Sequence, residues 1–123
     1  MDIKKTFQEV NQELGLYETP DWGIINGTAD RAKDFIQYYN TNRDLLENST
    51  KFDFSELIIA SMNEAIIENK RDEELNFLFK EYIYEHLDDK FILFNVIGYW
   101  MSIANEEEFP VGFLLDQIVP KDM

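Results

Sequence analysis

A single all-α domain over residues 1–123, a bundle of about five to six helices around a central apolar helix, is the fold this sequence predicts. Three observations carry that prediction. Apolar residues recur at three- and four-residue steps far more often than they alternate, which is the periodicity of helices packed on one side. The chain of 123 residues is long enough to bury one core and too short for two of ordinary size. Its 45% hydrophobic and 15% aromatic residues offset the entropy of ordering, which a disordered acidic tail cannot do.

The first helix is expected from Asp2 to Leu14, with Ile3, Phe7, Val10 and Leu14 on one face and Gly15 ending it in the left-handed conformation. Leu16 to Gly27 follows, holding Pro20, Trp22, Gly23 and Gly27. It reads as an ordered loop whose only strand-like piece is Gly23-Ile24-Ile25-Asn26. Trp22 is expected to anchor this loop on the bundle, burying its ring while its N–H finds a carbonyl. Thr28 reads as the N-cap of a second helix with Ala32, Phe35, Ile36 and Tyr39 in one stripe, ending near Asn40 before the polar run Asn40-Thr-Asn-Arg-Asp.

Asp53, with Glu56 three residues on, resembles a capping box and announces a third helix through Leu57, Ile58, Met62, Ala65 and Ile66 to about Asn69. Asp72 caps a fourth from Glu73 to Leu87, and Asp88 or Asp89 a fifth from Lys90 to Asn105. Pro110, at a first-turn position, opens a short sixth that stops before Pro120. The fifth is apolar nearly all round and is expected at the centre, with Phe94, Ile97, Trp100 and Met101 buried and Leu57, Ile58, Phe79 and Ile83 packed about them. Gly98 inside it is expected to let another helix approach closely.

Composition excludes several functions. There is no Cys and one His, so cysteine nucleophiles, disulfides and histidine zinc sites cannot be assembled within one chain. The five Gly residues form neither a phosphate loop nor a dinucleotide fingerprint. The net charge of −14 is spread along the chain without a basic patch, so nucleic acid and anionic membrane surfaces are repelled. The opening Met-Asp-Ile-Lys-Lys-Thr-Phe lacks the apolar run of an export signal. The stretch Phe91 to Ala104 is interrupted by Asn95 and Ser102 and is shorter than the roughly 20 residues that cross a bilayer. A cytoplasmic location is expected.

The fourth helix is the most informative element. At 100° per residue, Glu73, Glu74, Phe77, Glu81, Tyr84, Glu85 and Asp88 fall within an arc of about 120°, opposite Leu75, Phe79, Tyr82 and His86. Aromatic anchors supply contact energy at low side-chain entropy, and carboxylates steer a basic partner. The alternative is that Phe77 and Tyr84 pack beneath another helix. His86 lies beside the core face and reads as a packed, hydrogen-bonded histidine. Glu106, Glu107 and Glu108, just past the fifth helix, read as a solvated loop or as a second contact for a basic partner.

The segment Asp21-Trp22-Gly23-Ile24-Ile25-Asn26-Gly27, followed by Asp30-Arg31 and Phe35-Ile36-Gln37-Tyr38-Tyr39, resembles small acidic all-helical bacterial proteins of the immunity type. That resemblance implies a non-enzymatic protein that neutralises a cognate toxin made beside it, often by covering a basic cleft. It carries no partner-binding residue onto this chain, and no cofactor and no bound metal are expected. Two other classes stay open. One is a helix-pair scaffold or adaptor that binds a peptide or protein. The other is a carboxylate-dependent metal enzyme, for which Glu81 and Glu85 lie one turn apart, although 25 acids guarantee such pairs by chance. A di-iron site of the Glu-x-x-His type is excluded, because Ile83 stands three positions before the single histidine.

Overall fold

The computed structural model describes residues 4–17, 19 and 21–121, with the backbone alone at Phe7. Among these residues there are seven helices and no strand; the expected helix start at Asp2, the Ile3 position and the side chain of Phe7 lie outside the described residues. Helix α1 is Phe7–Leu14, α2 Trp22–Ile25, α3 Ala32–Asn42, α4 Asn48–Ile67 and α5 Glu73–Glu85. Helix α6 runs through Lys90–Ile92, a π-helical segment Leu93–Ile97 and Gly98–Ser102, and α7 is Val111–Ile118. No described helix is long and apolar enough to cross a membrane.

The chain ends its helices with the local chemistry the sequence provides. Thr6 accepts the Glu9 N–H at 3.3 Å to open α1, and Gly15 closes it at φ 66°. Asp72 accepts the Leu75 N–H at 2.8 Å to open α5. Asp89, rather than Asp88, caps α6 by accepting from Phe91 and Ile92. Two expected caps are not used. Asp53 and Glu56 lie inside α4, which starts at Asn48 with Asn48 and Ser49 exposed and Thr50 already buried. The Thr28 side chain makes no cap bond; its backbone N–H instead donates to the Ser61 hydroxyl at 3.0 Å, and a 3₁₀ turn, Ala29–Arg31, leads into α3.

Residues 22–25 are helical, not extended. Gly23 and Gly27, read from sequence as breakers, are the positions where this turn lies against α4. A Cβ on Gly23 would stand 2.8 Å from Glu56 Cβ and 2.9 Å from Leu57 N, and one on Gly27 2.8 Å from Ala60 Cβ. Trp22 is buried, tilts against Phe54 with ring centroids 6.2 Å apart, and donates its indole N–H to the Asn11 side-chain carbonyl at 2.7 Å. The anchoring role holds, on a short helix in place of a loop.

The central helix is α4, not α6. α4 packs against α1, α2, α3, α6 and α7 and buries residues around its whole circumference, Phe54, Leu57, Ile58, Ile59 and Met62 among them. α6 buries one side only: Ile92, Leu93, Val96, Ile97 and Trp100 face the core, Met101 is half-buried, and Phe94 is 66% exposed. An apolar circumference therefore does not identify the central helix, because half of that of α6 faces solvent. Gly98 is no close-approach site either. Its N–H closes the π turn on the Leu93 carbonyl, and among the described residues beyond its own turn a Cβ would meet that oxygen alone, at 3.2 Å.

Candidate partner-binding surface

α5 is held by its inner face. Leu75, Phe79, Tyr82, Ile83 and His86 are buried against neighbours that include α3 and α7. The last turn is locked by a polar cluster. The Tyr82 carbonyl can only accept, which assigns the imidazole proton to Nδ1 (2.8 Å), and Nε2 then accepts the Tyr39 hydroxyl at 2.7 Å. Burial holds the His86 pKa below the ordinary imidazole value and pushes the Tyr39 phenol up to about 12, so the neutral pair persists at physiological pH. The Tyr82 hydroxyl pairs with Ser55 of α4. His86 is thus the packed, bonded histidine its position implied.

With that face fixed, the opposite stripe points to solvent. Glu73, Glu74, Phe77, Glu81, Tyr84 and Glu85 are all exposed, Phe77 at 63% and Tyr84 at 43%, so neither aromatic packs beneath another helix; α5 ends at Glu85, short of the expected Leu87, and Asp88 is exposed in the turn that follows. The carboxylates differ in availability. Glu85 is paired with Arg43, whose guanidinium also lies 5.5 Å from the Tyr39 ring centroid, and Lys33 bonds Asp72 and reaches Glu74 at 3.9 Å. The Lys33 ammonium holds the Asp72 carboxyl below the usual carboxylate range, assisted by the Leu75 N–H. Glu73, Glu81 and Asp88 have no ion pair among the described residues. Lys80 stands 5.6 Å from the Tyr84 ring centroid and adds one positive charge at the border.

Glu106, Glu107 and Glu108 are exposed on the turn between α6 and α7. Asn105 shapes this turn by accepting the N–H groups of Glu107 and Glu108, and its backbone pairs with Phe109. The buried side chain of Asn63 on α4 fixes its position, donating to the Glu108 carbonyl at 2.9 Å and accepting the Val111 N–H at 3.1 Å. Its polar side chain amid the apolar Leu57 to Ile66 stretch was the one sequence signal of this role. Glu106 shares a shallow depression with Ile66 and Arg71, the latter two residues before α5. Arg43 and Lys33, which tie down part of the stripe, come from polar stretches that carry no signal of their destination.

Among the described residues no group of three or more His, Asp or Glu side chains is placed to hold a metal ion. Asp53 and Glu56 are half-buried on α4, where burial raises both carboxyls and the neighbouring Asp53 and Asp21 charges raise Glu56 further. The chain matches no protein-family model, no curated protein and no solved structure.

Proposed function

We propose that this protein is a non-enzymatic binding protein that captures a basic protein partner on the outer face of α5, in the manner of an immunity protein neutralising its cognate toxin. The observation that supports this reading is the exposure of Phe77 and Tyr84 beside Glu73 and Glu81, which have no ion pair among the described residues, on a helix whose other face is committed to the core. Net charge of one sign accelerates encounter with an oppositely charged surface, and desolvated aromatic anchors then set residence time. Glu106 to Glu108 contribute at the edge of the same encounter field.

The test uses the protein encoded immediately upstream of this chain's gene, purified and immobilised, with association and dissociation followed separately. Association slows steeply with salt. Glu81→Lys lowers the association rate, and it is a better probe than Glu85→Lys because it breaks no ion pair. Tyr84→Ala and Phe77→Ala speed dissociation. Wild-type kinetics in all three variants refute the surface assignment, and absence of any binding refutes the immunity reading.

A further inference from the structure

One cavity lies apart from the α5 stripe and has no part in the binding scheme above. It is open, about 540 Å³ in volume, and lies between the first turns of α4 and the start of α6. That volume falls in the range of side-chain- to drug-sized ligand sites. Its apolar wall is Phe52, Phe91 and Ile92; the two rings stand 5.3 Å apart at 54° to each other, and Phe91 is 63% exposed although a large apolar surface lies beside it.

Two carboxylates line the same cavity. Asp53 is half-buried and makes no hydrogen bond or ion pair among the described residues, and burial raises its carboxyl. Asp89 spends one oxygen on capping α6 through Phe91 and Ile92. Lys51, also on the rim, offsets part of this charge and is itself without an ion pair among the described residues. A desolvated, unpartnered carboxylate beside two aromatic faces is complementary to a cation carried on an apolar stem. A planar guanidinium suits it best, because it stacks on aromatic rings, is weakly hydrated and meets carboxylates in a fixed fork.

We propose that this cavity receives an arginine side chain presented by the basic partner, the contacting Phe52 and Phe91 rings forming one aromatic wall for the stem and guanidinium and Asp53 meeting the charge. The proposal rests on the preceding reading only for the source of the arginine. Asp89, which lines the cavity, directly follows Asp88, the last acid of the stripe, in the chain.

The test needs no partner. The full chain is titrated with N-acetyl-L-argininamide and followed by backbone amide NMR, with the neutral isostere N-acetyl-L-citrullinamide and N-acetyl-L-lysinamide as comparisons. Saturable shifts centred on Phe52, Asp53 and Phe91 are expected with arginine, and markedly weaker ones with citrulline and lysine. Asp53→Asn and Phe91→Ala each raise Kd about tenfold, the scale of one lost charge-assisted or cation–π contact. Lys51→Ala lowers Kd, because it removes the like charge from the rim. Both weakening variants alter side chains without hydrogen bonds, and unchanged thermal unfolding verifies that they fold. The proposal is overturned by absence of saturable shifts at these residues, by citrulline or lysine binding as well as arginine, by wild-type affinity in Asp53→Asn, or by weaker binding in Lys51→Ala. A failed titration leaves the α5 assignment intact, and failure of the α5 variants against the upstream protein leaves the cavity's preference for arginine intact.

Discussion

Asn63→Ala tests the least local feature of the structure. The Asn63 amide acts as a cap supplied from another helix: Val111 is the first residue of α7, Pro110 before it offers no side-chain cap, and the Val111 N–H finds its acceptor on α4. Truncation removes two hydrogen bonds, at 2.9 Å and 3.1 Å, of unequal weight. Glu108 is exposed, so its carbonyl can turn to water at a net loss of about 1 kcal/mol. Val111 is fully buried, and its orphaned N–H incurs a desolvation penalty of about 1–3 kcal/mol. The sum, about 2–4 kcal/mol, corresponds to roughly 8–16 °C in Tm at about 4 °C per kcal/mol for a domain of this size. Denaturant unfolding measures the loss, and amide hydrogen exchange at Val111 locates it. Asn63→Asp keeps an acceptor for the Val111 N–H but buries a carboxylate against the Glu108 carbonyl, so near neutral pH it does not rescue the loss seen in Asn63→Ala. A loss below half a kcal/mol in Asn63→Ala, or unchanged exchange at Val111, refutes the capping argument.

Ile97→Ala, at a fully buried position on the core side of α6, costs about 2–5 kcal/mol by denaturant unfolding, whereas Phe94→Ala on the exposed side costs under 1 kcal/mol. Trp22→Ala removes both the ring packed on Phe54 and the bond to Asn11, and lowers stability by about 3–5 kcal/mol in the same measurement. The depressed pKa of His86 makes stability depend on pH in a defined direction. Below about pH 6.5 the unfolded chain takes up a proton that the folded chain resists, so this contribution is present in full above that pH and is lost as pH falls toward the lower folded value. His86→Gln flattens that slope, and unfolding curves across this interval check it.

Helix existence was legible in the sequence because it rests on local terms. Asp72, Asp89 and Gly15 act within their own turns, and the periodic apolar residues of α3, α4 and α5 point inward as their spacing implies. The acidic-aromatic stripe was legible for the same reason: once Leu75, Phe79, Tyr82 and His86 face the core, helix geometry alone turns Phe77, Glu81 and Tyr84 outward. Which helix is central was decided only by tertiary packing. α4 mixes Ser55, Ser61 and Asn63 into its buried surface because partners elsewhere in the chain satisfy them, a condition no local pattern records, while the apolar α6 leaves Phe91, Phe94 and Tyr99 in solvent. The glycines at 23 and 27 belong to the same class: their spacing suggested a broken loop, and only the backbone of α4 lying against them makes them contacts. The cavity at Phe52, Asp53 and Phe91 likewise exists because two helix ends far apart in sequence meet. Helix formation is governed by neighbours three and four residues away, whereas burial, polar satisfaction and cavities depend on which distant surfaces meet, and that information resides in the packed chain.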